Sequence, residues 1–279
     1  MHDLWYQFIE VAKITGADHP AQDRLVAQVV FAREQGTLTR VITLKEASDG
    51  VDAGQAQSHE NKTETAVTEK GKIWSDLPFL VEDLRDAWKT SLRTRQMSVQ
   101  ARCNLAAFTA RLIAHGVCDL QLTICALWTL RDALETSRPL TTTSPVLPPS
   151  NVPGSAAGAE QENDGGDEVS IADLLPACRA FIEYSYFKLM ALSMRTQTIL
   201  EQPDLNVADL GDLARDVVAD ISSGLSMEGA GLSMARWHFW KRRLQQLGQE
   251  LGAISGYEDV AKDASRAFNI MRLWEDQIT

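Results

Sequence analysis

The sequence predicts an all-α protein, and three observations support that prediction. Apolar residues recur at helical spacings of three and four through most of the 279 residues. No stretch shows the apolar and polar alternation, bounded by turn formers, that predicts a strand or hairpin. Two polar segments, 46–70 and 137–169, interrupt the helical pattern. We therefore expect one domain over 1–279, a bundle of about nine or ten helices with two flexible insertions.

The N-terminal helices follow from apolar spacing and one proline. Apolar residues three and four apart predict a helix over 3–14. Pro20 suits the first turn of a second helix, 19–34, because the N–H that proline lacks has no helical partner there. A short piece near 38–45, interpreted as further helix, precedes the first insertion.

Capping residues locate the helices between the two insertions. The motif Trp74-Ser-Asp-Leu-Pro78 is typical of a helix start. Ser98 is the predicted N-cap of a helix over 99–115, and Asp119 that of a helix over 120–136. These helices should supply much of the core.

Four further helices are expected beyond the second insertion. The segment 181–194 is apolar nearly all round, which is typical of a central helix surrounded by others. Its Lys188 either extends between neighbours to solvent or is buried with a carboxylate or an anionic ligand. The four ranges are 170–200, 207–222, 233–252 and 257–276.

Charge excludes some partners. Lys and Arg number 27 against 38 Asp and Glu, a net charge of -11, which disfavours nucleic acid and anionic membranes. Each insertion carries a net charge of -4, so the folded remainder carries -3 and is compatible with a small anionic ligand. No apolar run is long enough to span a membrane, and the N-terminus lacks the pattern of a signal peptide. We expect a cytoplasmic protein, and its oligomeric state stays open.

Several familiar site motifs are missing from the sequence. The four cysteines lack CxxC spacing, which favours reduced thiols over a zinc or disulfide framework. The sequence holds no nucleophile elbow, HExxH, Walker loop or GxGxxG. Hydrolase, zinc-protease, NTPase and Rossmann functions therefore lose their usual support.

The segment 233–244 is the densest cluster of aromatic and basic residues. In a functional interpretation, Trp237 and Trp240 wall an apolar ligand or a cation, while Arg236 and Lys241 reach an anionic group at the pocket mouth. The alternative is a helix with an ordinary basic outer face. Both interpretations stay open from the sequence.

Two pairs of carboxylates are candidate Mg²⁺ ligands. Asp132 and Glu135, three residues apart, fall on one side of a helix that also carries Trp128, a candidate pocket residue. An ion pair from Arg131 to Glu135 is the alternative.

The second pair belongs to a row of four aspartates along one face of the 207–222 helix. Asp216 and Asp220 are its candidate metal ligands, because enzymes that bind diphosphates hold Mg²⁺ with one or two helix carboxylates. A solvated helix face is the alternative.

Several motifs resemble those of a protein family. They are Trp74-Ser-Asp-Leu-Pro78 leading to Trp88, then Asn104-Leu-Ala-Ala-Phe108, then the stretch 126–135, and finally the Trp237/Trp240 segment. Together they resemble a family of fungal proteins catalogued as a domain of unknown function and often encoded near secondary-metabolite genes. The resemblance covers about 74–275 and implies little about chemistry.

A more distant resemblance concerns Trp237 and Lys241. Their pattern is similar to that of atypical fungal humulene synthases, all-helical cyclases that lack the aspartate-rich motif and depend on magnesium and a lysine. It implies a catalytic Lys241, Mg²⁺ as cofactor and an isoprenoid diphosphate as ligand. We thus predict a protein of fungal secondary metabolism that binds or converts a small apolar metabolite, in its sharpest form a sesquiterpene cyclase. The alternative is a non-enzymatic helical module that binds a partner in a groove.

Overall fold

The computed structural model of the protein describes residues 1–43, 61–93, 95–141, 169–195, 209–215, 217 and 231–275. Most of them are helical, so the predicted all-α class is confirmed. The helices are α1 (His2–Ile14), α2 (Pro20–Glu34), α3 (Leu80–Arg93), α4 (Val99–Ala114), α5 (Asp119–Leu130), a π-helical turn (Arg131–Glu135), α6 (Ile171–Met194), α7 (Met234–Gly252) and α8 (Glu258–Glu275).

Helices α4 and α6 form the centre of the packing. They contact each other more extensively than any other pair of elements in the described ranges, and α4 also packs against α1, α2 and α5. Every residue of α4 from Arg102 to Ile113 is buried. The apolar character of 181–194 predicted a central helix, and most of α6 is buried, although Phe187 near its end is 68% exposed.

The prediction that the chain holds no strand is wrong. Strand β1 (Thr39–Thr43) pairs antiparallel with β2 (Asn61–Thr65), and β3 (Val67–Thr68) pairs with β4 (Gly71–Lys72). The described part of the piece near 38–45 is therefore mostly strand, and residues 61–65 and 67–68 of the expected insertion 46–70 are strands as well. The signal was the β-branched content of Thr39-Arg-Val-Ile-Thr43 rather than an apolar alternation.

The start of α3 differs from its prediction. The helix begins at Leu80, and the Trp74–Pro78 motif forms the turn before it. Leu77 and Phe79 have φ values of 47° and 71°, in the left-handed region. The Trp5 indole N–H donates to the Pro78 carbonyl at 2.7 Å, which ties this turn to α1.

One of the two predicted caps is confirmed. The Ser98 hydroxyl accepts from the Ala101 N–H at 3.1 Å and begins α4. Asp119 is instead the first residue of α5, and Cys118, with φ of 46°, is the N-cap.

Parts of the predicted elements lie outside the described residues. These parts are 46–60 and 142–168 of the expected insertions, the end of the piece near 38–45, half of the expected helix over 207–222, and the last residues of the expected helices over 170–200 and 257–276. The described ends of the second insertion are attached to α6, because the N–H groups of Ile171 and Ala172 donate to the carbonyls of Pro139 and Leu140, each at 3.0 Å.

Candidate functional site

Glu135 is the centre of a buried ionic cluster. The π-helical turn that continues α5 ends at this residue, and its side chain is fully buried. Its carboxylate accepts from Arg236 Nε at 2.8 Å and Nη2 at 2.9 Å, and from the Trp240 indole at 2.6 Å. The Gly211 N–H donates to it at 2.9 Å. We call Glu135, Arg236 and Trp240 the Glu135 cluster.

Arg236 is bound to Glu135 inside the core, and its predicted contact with a diphosphate stays a prediction. The side chain is 0% exposed, and besides its bonds to Glu135 its Nη1 donates to the Gly231 carbonyl at 2.6 Å. Trp237 and Trp240 are likewise buried among core side chains. These three buried side chains belong to the core and do not stand at the mouth of a pocket. Lys241, in contrast, is half-buried.

The Asp132 and Glu135 carboxylates are held by different arginines. Asp132 Oδ2 accepts from Arg138 at 2.9 Å, whereas Glu135 binds Arg236 in the core. Glu135 pairs with Arg236 rather than with Arg131, the alternative partner, because both of its oxygens accept hydrogen bonds from Arg236. The geometry therefore does not bring Asp132 and Glu135 together as one ligand set.

The remaining predicted site residues fall in separate places. Asp216 and Asp220 lie outside the described residues. Trp128 is 6% exposed, and Lys89 Nζ lies 6.0 Å from its ring centroid. Lys188 Nζ contacts Asp119 Oδ2 at 3.0 Å with both side chains partly exposed, so it reaches solvent and pairs with a carboxylate as well. Among the described residues, no three His, Cys, Asp or Glu side chains are grouped so that they could hold a metal ion.

A different part of the molecule holds a cleft of about 620 Å³. Its walls are the turn between α1 and α2 at 16–20, the start of α4 at Val99 and Cys103, the α6 residue Arg179, and the first turns of α8. This volume lies in the range of about 300–1,000 Å³ typical of small-molecule sites. None of the predicted pocket residues lines this cleft.

Arg179 organises the polar wall of the cleft. Its side chain is only 8% exposed, its Nε lies 2.9 Å from Asp263 Oδ1, and its Nη1 contacts Glu183. Glu183 is also bound by Arg266. Burial raises the pKa of Asp263, although Arg179 and Arg266 act in the opposite direction. We call Arg179, Glu183, Asp263 and Arg266 the Arg179 network.

Cys103 lies under the same wall. Its thiol is 3.4 Å from the Pro176 carbonyl and 3.6 Å from Arg179 Nη2. Burial raises the pKa of this thiol, which keeps it protonated at neutral pH. It therefore contributes a neutral surface to the base of the cleft.

Two hydrogen bonds and a stacking contact fix the α1–α2 turn. The Tyr184 hydroxyl donates to the Asp18 carboxylate, which lowers the pKa of Asp18. The guanidinium of Arg111 lies 3.7 Å from the centroid of the Tyr184 ring and donates to the Ala17 carbonyl at 2.9 Å. The turn is thus anchored to α4 and α6 where it forms the rim of the cleft.

Sequence reasoning missed the Arg179 network entirely. One signal was available, because Arg179 follows a strongly apolar stretch of α6 and a buried arginine requires acidic partners. The partners Asp263 and Arg266 come from α8, more than 80 residues later, and their proximity depends on the tertiary fold.

Fold and cleft together define an all-α protein with a polar-walled cleft of small-molecule size. The chain belongs to the family described as "protein of unknown function (DUF3632)", whose model matches residues 5–244. It is also similar to the oxopyrrolidines biosynthesis cluster protein G of Penicillium oxalicum, with 27% identity over 248 residues. That match covers 88% of this chain and 59% of the relative.

The family match confirms the first resemblance seen in the sequence and adds nothing in favour of humulene synthases. No solved structure matches the chain. In the ranges that the structure describes, no helix is both long and apolar enough to cross a membrane.

Proposed function

We propose that the protein binds a small metabolite of fungal secondary metabolism in the cleft between α4, α6 and α8. The observation that carries the proposal is the cleft itself, with its partly buried ionic wall at Arg179 and an apolar rim that includes Val99 and Val260. Pockets that combine apolar walls with a few fixed polar groups are typical of small-molecule sites. The similarity to a protein named for a biosynthesis cluster supports the metabolic setting.

The volume also favours a metabolite over the alternative partner, a macromolecule. A space of 620 Å³ suits one compact organic molecule, while a protein partner requires a contact of about 800 Å² on each side.

A blocking substitution tests the proposal. Val99 lines the cleft and is 36% exposed, so Val99→Trp should fill the entrance without disturbing the core. Val11→Trp is the matched control, because Val11 is 39% exposed on α1 and does not line the cleft. Both variants should retain the helical circular dichroism of the wild type.

Binding is measured by ligand-observed NMR with a library of uncharged and charged organic fragments. We expect a subset to bind the wild type and Val11→Trp equally, and to bind Val99→Trp about tenfold more weakly or worse, a loss of at least ~1.4 kcal/mol. A library in which no binder distinguishes the two variants would refute the proposal.

The cyclase form of the prediction has a separate test. It places Arg236 on a diphosphate, but that guanidinium is bound to Glu135 in the core. We expect no hydrocarbon and no released diphosphate when the protein is incubated with farnesyl diphosphate and Mg²⁺. Product formation that Lys241→Ala abolishes would establish the cyclase instead.

A further inference from the structure

We infer that the ligand of this cleft carries a positively charged nitrogen, an inference that rests on the proposed function and specifies its ligand class. Three carboxylates line the cleft, Asp18 from the α1–α2 turn and Asp259 and Asp263 from α8. They reach the space from two elements far apart in sequence. The cleft lining also includes Arg179, so its carboxylates exceed its described guanidinium by two, and such an excess of negative charge attracts a cation.

The cations of the cleft are already matched. Arg179 is the one guanidinium among its described lining residues, and it contacts both Asp263 and Glu183. Arg266, which is not among the residues lining the cleft, also contacts Glu183. The Arg179 network therefore contains two arginines and two carboxylates, so it offers no excess positive charge to an anionic ligand.

His19 also lines the cleft and caps the start of α2. Its ring Nδ1 accepts a hydrogen bond from the Ala21 N–H at 3.1 Å.

Asp18 is the carboxylate best placed for a ligand cation, because Asp263 is already paired with Arg179. The ammonium group of Lys262 lies 2.7 Å from Asp259 Oδ1 and partly offsets the negative charge of that carboxylate. Asp18 keeps its negative charge at neutral pH, because the hydrogen bond from Tyr184 holds its pKa below the ordinary range. Asp263 contacts Arg179 through Oδ1.

The same walls favour an organic cation over a metal ion. Pro20, Val99, Pro176 and Val260 give the cleft apolar surface next to its carboxylates. Magnesium and calcium instead require about six or more oxygens converging at ~2.0–2.6 Å. An amine attached to an apolar skeleton satisfies both kinds of wall in one molecule.

Three probes of one skeleton separate charge from shape. They are 2-phenylethylamine, 2-phenylethanol and phenylacetate, which are cationic, neutral and anionic at neutral pH. We expect the amine to bind about threefold to tenfold more tightly than the alcohol, and phenylacetate to bind most weakly. Affinities are measured by NMR titration at low salt, and the preference for the amine should fall as salt rises.

Variants identify the carboxylates. Asp263→Asn and Asp18→Asn should each reduce amine affinity about threefold or more and leave alcohol affinity unchanged. Asp18→Asn tests the inference even if Asp263→Asn unfolds the protein, because Asp18 is exposed and Asn still accepts from Tyr184. Asp86→Asn, an exposed aspartate outside this cleft, is the matched control.

The outcomes separate the two proposals. Equal binding of amine and alcohol, both weakened by Val99→Trp, overturns the cationic ligand and leaves the cleft as the binding site. A preference for phenylacetate overturns the cationic ligand as well. Probes that bind with no response to Val99→Trp overturn the proposed function itself.

Discussion

Two arginine-centred networks in this protein share chemistry and differ in exposure. In the Glu135 cluster, both the arginine and the glutamate are 0% exposed and their partners are core groups. In the Arg179 network, exposure rises from 8% at Arg179 through 28% at Asp263 to 56% at Arg266. The first network is sealed inside the bundle, and the second leads from the core to a cleft.

The difference in exposure separates a structural role for the Glu135 cluster from the binding role that we propose for the Arg179 network. Each hydrogen-bonding group of a buried ion pair needs a partner within the protein, because water cannot reach and solvate a charge whose partner is missing. In the Glu135 cluster, four N–H groups donate to the Glu135 carboxylate, so its oxygens have no position left for a ligand. A network open to solvent can exchange water for ligand groups, and that is the situation at Asp263.

The largest expected effect is on the Glu135 cluster. Glu135→Gln should lower the free energy of unfolding by about 3–5 kcal/mol, because Arg236 would remain buried without a counter-ion. Urea unfolding followed by circular dichroism measures it. Asp263→Asn should cost clearly less, because water reaches that carboxylate. A larger loss from Asp263→Asn than from Glu135→Gln would reverse the assignment of roles.

The next effect is steric and concerns the same cluster. A Cβ atom added at Gly211 would lie 2.3 Å from the Glu135 carbonyl oxygen, so Gly211→Ala should cost about 1–3 kcal/mol. Gly252→Ala is the matched control, because the nearest atom to its added Cβ is the Ala261 Cβ at 3.8 Å. Thermal unfolding of both variants checks the prediction, which fails if the two melt together.

The smallest effect concerns the cleft rim. Tyr184→Phe removes the hydrogen bond to Asp18 and keeps a ring beneath Arg111, so it should cost about 0.5–1 kcal/mol at pH 7. Because the folded pKa of Asp18 is lowered, ionised Asp18 contributes stability above its unfolded pKa and loses it as pH falls through the folded pKa.

The difference between wild type and Tyr184→Phe should therefore shrink in acid, below the ordinary range of aspartate. Urea unfolding at several pH values measures this trend, with Tyr6→Phe, an exposed tyrosine of α1, as control. A difference that stays constant down to the acid limit of folding would show that Asp18 is not involved.

Much of the fold could be predicted because it depends on local signals. Helical spacing and the Ser98 cap located α4 within a residue of its observed bounds, and 233–252 became α7. Strands β1 and β2 were missed because they pair across a long connection and neither shows an apolar face. Their register includes an ion pair between Arg40 and Glu64, which no local pattern announces.

The candidate site was harder to predict for two physical reasons. A π-helical turn inserts an extra residue per turn, so Glu135 points to Arg236 instead of the side that an ideal helix gives it. The cleft, in turn, is assembled from four segments spread over about 245 residues, and only their packing brings Asp18 near Asp263. The aromatic residues of 233–244 therefore belong to the core, although their density in the sequence suggested a site. The residues that line the cleft are too scattered along the chain to form a recognisable motif.

The most direct test maps a bound ligand onto the two regions. The protein is labelled with ¹³C at the Val and Leu methyl groups and titrated with the tightest fragment from the library screen. The largest shift changes should occur at Val99 and Val260, which line the cleft, with little change at Leu244 and Leu247 beside the Glu135 cluster. The largest changes at Leu244 and Leu247 would contradict the account and return the site to the Trp237/Trp240 segment.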